Sequence, residues 1–240
     1  MFAAVMKITN GIIKIMPIAV WAFMTLFIYE TQQGVPLKGI GKYLLALIVA
    51  NLIQAVVVLP LFLKIFNISP LRAVRGMFPA LSVAFFSKSS SATLPTAIQC
   101  VTDNLGVSQK VAGFSLPLCT IINMNACASF ILISVLFVSG SNGVFFTWYE
   151  LVGWVFIATL GAAGSAGIPM GCYFIASAFL SSMQMPLNLL GIILPFYGLL
   201  DMLETAINVW SDSCITLVVE KTTTRESRNE CFSPKLFTDV

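Results

Sequence analysis

The sequence predicts an all-α membrane protein in which transmembrane helices are accompanied by two re-entrant helical hairpins and by discontinuous helices. Three observations predict it. The 240-residue chain is 58% hydrophobic and 10% charged, with a mean hydropathy of +0.93, whereas soluble domains average about 45–50% apolar and about 25% charged residues. Two apolar stretches, roughly Ile8–Tyr29 and Tyr43–Phe66, reach the ~20 residues that a helix needs to cross a bilayer. Beyond Leu71, apolar pieces of about half that length alternate with Gly, Ser and Pro breaks.

The first two spans make up residues 1–70. "MFAAVMKITNGIIKIMPIAVWAFM" carries Lys7 and Lys14 and no small-residue cleavage pattern, so it reads as the entry to a helix and not as a signal peptide. "ETQQGVPLKGIGK" has the composition of a loop. Lys64, Arg72 and Arg75 follow the second span and Lys221, Arg225 and Arg228 follow the last, which places both regions on the cytoplasmic side, with Lys38 and Lys42 voting weakly against. "Asn67-Ile-Ser" is then a chance match to a glycosylation sequon in a short cytoplasmic loop.

Residues 71–222 form the expected core. A first hairpin, 71–102, turns at "SKSSSATLP"; a second, 150–183, turns at "AGSAGIPMG". A tip at membrane depth leaves backbone groups unpaired, which is tolerable only where protein or a polar cavity covers them. Two such hairpins in one chain point to a transporter's binding site. Between them a broken helix, 111–139, has polar "NMNAC" at its centre. On a continuous helix Asn123 and Asn125 would point about 200° apart. Local unwinding would turn both, with their carbonyls, to one cavity; interhelical hydrogen bonding is the alternative. The final helix is expected over 187–221, and a polar, disordered cytoplasmic tail over 223–240.

Several chemistries are excluded. There is no His, so imidazole serves neither as base, relay nor metal ligand. The six cysteines are scattered without C-x-x-C spacing and read as small buried hydrophobes, with Cys119 and Cys127 set apart by their positions beside the broken segment. A net charge of +3 without a basic stripe suggests no nucleic-acid partner.

In "GLLDMLETAINVWSDSC" Asp201, Glu204 and Asp212 occupy an apolar helix, and no Lys or Arg occurs between Val111 and Glu220. With Asp201 set at zero, Thr205 falls near +40°, Asn208 near −20°, Asp212 near +20° and Glu204 near −60°, and Trp210 lies opposite. Ionisable groups at this depth normally face a bundle interior or a water-filled cavity and mark substrate or ion paths. Such a row either stabilises the bundle or binds a hard cation such as Na⁺ and a substrate ammonium. An aspartic protease is excluded, because Asp201 and Asp212 lie about 16 Å apart along the helix and a dyad needs about 3 Å. A Ser–Lys hydrolase, with Lys88 beside Ser89–Ser91, is formally open, but the chain does not read as an enzyme.

At these residues the chain resembles the dicarboxylate/amino-acid:cation symporters, the glutamate-transporter family. The resemblance runs from about Ala4 to Lys221 and rests on four motifs in the family's order: "SKSSSATLP", "NMNAC", "AGSAGIPMG" and "DMLETAINVWSD". It implies a homotrimer with an elevator-type movement, in which the second hairpin is the extracellular gate, in a plasma membrane such as a bacterial inner membrane, with lipid around it. It implies that Asp201 binds the α-amino group of an amino-acid substrate. Asn208 and Ser89, Ser90 and Ser91 would bind the α-carboxylate, with Glu204, Thr205 and the tip residues Ala166, Gly167, Ile168 and Pro169 completing the pocket. The coupling ion would be Na⁺, with H⁺ as the alternative, and no other cofactor is implied. One sodium site would use Asp212, Asn208 and the carbonyls of Cys119 and Asn123; a second would use carbonyls around Met124 and near Ser165.

Three departures shape the expectation. Acidic-substrate members of the family have Arg where this chain has Glu204, so an acidic side chain would meet repulsion and a neutral amino acid is expected. Lys88 is expected to pair with Glu204; left free, it would favour an acidic amino acid or dicarboxylate instead. Asn125 and Cys127 stand where the family has Asp and Thr, and Tyr197 replaces another Asp, so fewer coupled ions are expected. The chain begins where the family's fifth helix should be, which suggests a fragment with a separate N-terminal scaffold portion, or a truncated, non-transporting relative.

Overall fold

The structure is a computed structural model and describes residues 39–166 and 170–232, together with 18, 21, 22, 25, 28 and 29. Most of the first expected span, the tip residues 167–169 and the tail 233–240 lie outside the described residues. The described residues fold into helices without a strand: α1 (Ile40–Ile65), α2 (Pro70–Ser87), α3 (Ser90–Gln99), α4 (Gln109–Ile122), α5 (Asn125–Ser141), α6 (Trp148–Gly164), α7 (Gly171–Ser182) and α8 (Asn188–Phe232). Ile40–Ile65, Gln109–Ser141 and Asn188–Thr224 are long and apolar enough to cross a membrane, and the protein is a membrane protein.

Local chemistry sets the helix starts. Pro70 opens α2 at a position whose N–H needs no partner. Ser89 caps α3 by accepting from the Ala92 N–H at 3.2 Å. Ser108 caps α4, and the Glu220 carboxylate reaches from α8 to accept from the Ser108 N–H and hydroxyl at 3.1 and 2.7 Å. At α6 a capping box joins Thr147 and Glu150. α1 contains a π-helical stretch, Gln54–Val58, just before Pro60, and α3 runs on into another, Cys100–Asn104.

Two apolar cores lie along α8. The first gathers α5, α6 and α7 around Phe130, Ile131, Leu180, Ile193 and Tyr197. The second gathers the far part of α1 with α2, α3 and α4 around Leu63, Met77, Leu116, Trp210 and Leu217. In α8 the first core ends at Leu200, and the fully buried residues of the second begin at Val209. The polar residues lie in the interval and just beyond it. Lys221 donates from Nζ to the Asn67 carbonyl at 2.8 Å, so the basic end of α8 and the α1–α2 turn occupy the same end of the molecule.

The last helix departs from expectation. Instead of ending near residue 221, α8 continues to Phe232. The chain holds neither Gly nor Pro between Gly198 and Pro234, so no stop signal precedes Ser233, the residue a proline disfavours in the helix.

Candidate functional site

The α4–α5 break is formed by Asn123 and Met124, whose backbones leave the helical region (φ −102°, ψ 53° and φ −91°, ψ 56°). The unwinding brings together two side chains that a straight helix would separate. Asn123 and Asn125 both donate to the Ser211 hydroxyl oxygen, at 3.0 and 2.6 Å. Unwinding and interhelical hydrogen bonding therefore operate together.

The break is sewn to the α8 row. Asp212 Oδ1 accepts from Asn123 Nδ2 at 2.8 Å, and Oδ2 accepts from the Thr120 hydroxyl at 3.4 Å. Asn208 Oδ1 accepts from the Ala126 N–H at 2.9 Å, while its Nδ2 donates to Cys127 Sγ at 3.2 Å and approaches Met124 Sδ at 3.7 Å. Asn208 and Asp212 are thus buried and hydrogen-bonded against the break. The structure gathers Asn123, Met124, Asn208 and Asp212 in one place, with Cys119 one turn earlier in α4. The Cys119 carbonyl accepts the Asn123 N–H at 2.8 Å, and the Cys119 thiol faces Ser115 at 3.9 Å. A cavity of about 300 Å³ borders Asn123, Met124 and Asn125 on the side of Gln54, Val155 and Thr159, and no α8 residue lines it.

Ser165 is held by α6 and α7. Its hydroxyl donates to the Ala162 carbonyl at 2.7 Å, and its oxygen lies 3.7 Å from Cys172 Sγ. Ala166 continues the turn through its N–H to the Ala163 carbonyl, and Gly167, Ile168 and Pro169 lie outside the described residues. Ser89, Ser90 and Ser91 form the first turn of α3, with partly exposed Ser89 and Ser90. Of the α8 row, Thr205 is buried and Asp201 is half-buried.

Glu204 does not pair with Lys88. Its side chain is fully buried, and neither carboxylate oxygen has a hydrogen-bond partner among the described residues. Lys88 occupies a left-handed position between α2 and α3 (φ 54°). A Cβ on Gly198 would lie 3.6 Å from its Nζ, which brings the ammonium to the level of Asp201 and lets the two charges interact. Tyr197 also approaches Asp201, but its buried hydroxyl completes no hydrogen bond of good geometry. The sequence held no sign that Glu204 would sit with two thiols: Cys127 of α5 and Cys172 of α7 bring their Sγ atoms within 4.8 Å of its carboxylate and of each other. Ser211 was likewise missed, although it lies one position before Asp212 and fastens both asparagines.

A model of the sodium:dicarboxylate symporter family matches residues 1–222. The Caenorhabditis elegans protein named sodium-dependent excitatory amino acid transporter glt-4 is 33% identical over 221 residues, 91% of this chain and 44% of its own length. The neutral amino acid transporter B(0) of Oryctolagus cuniculus is 30% identical over 88% of this chain and 39% of its own. The human neutral amino acid transporter A is 29% identical over 88% and 40%. The chain thus spans about two fifths of the length of these relatives.

Proposed function

Because the chain belongs to the sodium:dicarboxylate symporter family, we propose that it forms the substrate- and ion-binding part of a sodium-coupled amino-acid symporter, and that its amino acid is neutral. The observation that carries the choice of substrate is Glu204. It occupies the position where acidic-substrate members of the family have Arg, and it is buried with no cation against it among the described residues. A second carboxylate there would add a charge to a low-dielectric site that lacks a counter-charge. A neutral side chain adds none.

In this reading Asp201 takes the ammonium of the amino acid, and the N-terminal turn of α3 at Ser89–Ser91 takes the carboxylate, as exposed amides at a helix start favour an anion. Asn208 and Thr205 lie between them. Asp212, Asn123 and the carbonyls of the break supply oxygens of the kind Na⁺ prefers. Binding would exchange the hydrogen bonds that now close Asn208 and Asp212 against the break for contacts to the cargo. Helices α2–α3 and α6–α7 act as re-entrant hairpins, and the assembly is a trimer in the plasma membrane working with a scaffold. With Asn125 and Tyr197 in place of carboxylates, fewer sodium ions accompany each amino acid than in relatives that keep them.

Lys88 supports a second reading. Unpaired with Glu204 and at the level of Asp201, it is free to meet an acidic side chain, which would make the cargo glutamate, aspartate or a related dicarboxylate. One experiment decides. In proteoliposomes with a sodium gradient, labelled alanine, serine or threonine should accumulate, aspartate should compete poorly, and Asp201→Asn should abolish the signal. Aspartate outcompeting all three would establish the Lys88 reading, and accumulation that ignores sodium would remove the sodium-coupled reading.

A further inference from the structure

We propose that Cys127, Cys172 and Glu204 form a binding site for a thiophilic divalent cation of the zinc class, different in its donors from the sodium sites and sharing Glu204 with the amino-acid pocket of the proposed function. The three ligand atoms lie within 4.8 Å of one another, and all three residues are buried. It is the one such group among the described residues. Ligands at zinc's usual bond lengths of about 2.0–2.3 Å around a tetrahedral ion sit about 3.6 Å apart. The present spacing therefore exceeds that of a closed site by about an ångström at most.

An independent observation points to a ligand. Both Glu204 oxygens are fully buried without a donor among the described residues, a costly state unless a cation or a proton compensates the charge. No Lys or Arg occurs between Val111 and Glu220 to compensate it. The groups that do surround it are thiols. Two sulfurs and one carboxylate suit zinc, which accepts both donor types, and do not suit Na⁺, which favours an all-oxygen set. Asn208 Nδ2 already donates to Cys127 Sγ at 3.2 Å and would hold the thiolate in place.

Binding releases one proton from each thiol. Two thiolates and one carboxylate around a dication leave one net negative charge and an open fourth position. The ligands come from α5, α7 and α8, so a bound ion ties the helix that follows the second tip to α8 and to the start of α5.

The test uses the full 240-residue chain in detergent micelles, reduced, stripped with chelator, and free of sodium and amino acids. Cadmium serves as the spectroscopic substitute for zinc. The expected result is thiolate-to-cadmium charge-transfer absorption that grows to one equivalent per chain and is reversed by zinc. Cys127→Ser and Cys172→Ser should lose it, Glu204→Gln should bind at least about tenfold more weakly, and Cys100→Ser should leave it unchanged. Absence of the band in reduced wild-type protein at saturating cadmium overturns the proposal, whatever the variants do. So does an undiminished band in Cys127→Ser and Cys172→Ser. Transport is not measured, so failure here leaves the symport reading untouched, and the converse also holds.

Discussion

At the residue scale, Trp210 repairs a defect that a proline creates far away in sequence. The π-helical stretch of α1 pairs the Gln54 carbonyl with the Leu59 N–H. In that register the next carbonyl, Ala55, would take its hydrogen from Pro60, which has none. The Trp210 indole fills the vacancy, donating to the Ala55 carbonyl at 3.3 Å. Trp210→Phe keeps most of the aromatic packing and removes the donor, so it should destabilise the protein by about 1 kcal/mol through an orphaned, part-buried carbonyl. Thermal unfolding in detergent should show this, and a variant as stable as wild type would refute the account. The sequence placed Trp210 opposite the Asp201–Asp212 row but held no sign of its partner, because a pairing across 155 residues leaves no local pattern. The expected Lys88–Glu204 pair failed for a related reason. Charge complementarity was legible, but the left-handed turn at Lys88 delivers its ammonium near Gly198, about 9 Å along α8 from Glu204.

At the element scale, helix breaks were more legible than helix ends. Ser89 at the first turn, polar Asn123 and Asn125 at the α4–α5 break, and the small residues after Ala162 all announce backbone that leaves the helical ladder. These signals are local, and the structure interrupts its helices at them. Polarity alone does not end α8 at residue 221, because a helix needs a breaker to stop. The close approach at the second tip was not legible at all. A Cβ on Gly171 would lie 2.6 Å from the Ser165 carbonyl oxygen and 2.8 Å from its Cβ, so glycine is what lets α7 begin against the end of α6. Gly171→Ala should force the two chains apart and lower the unfolding temperature by the equivalent of about 1–3 kcal/mol. Gly164→Ala, where nothing among the described residues lies within 4 Å of the added atom, is the control and should be neutral. Equal stability of the two variants would show that the tip has room the geometry denies.

At the scale of the whole molecule, α8 is a pillar between two apolar cores. Its first part shares a core with the start of α1 and with α5, α6 and α7, and its second with the far part of α1 and α2 to α4. The polar groups from Asp201 to Asp212 lie where one core gives way to the other, which is where carboxylates and amides displace the least apolar packing. Helix association in lipid relies on van der Waals fit instead of water exclusion, so truncations in the two cores should act separately. Leu63→Ala and Leu180→Ala, at fully buried positions in different cores, should each cost about 2 kcal/mol or more, and the double variant should equal their sum within about 0.5 kcal/mol. Phe130 and Tyr197, whose rings lie 4.8 Å apart in one core, should instead couple by about 0.5–3 kcal/mol when both are changed to Leu. The measurement is a pair of double-mutant cycles in one detergent. Strong coupling between Leu63 and Leu180 would mean that α8 transmits strain through its polar interval, so that the two helix pairs respond as one body and do not move independently about the site.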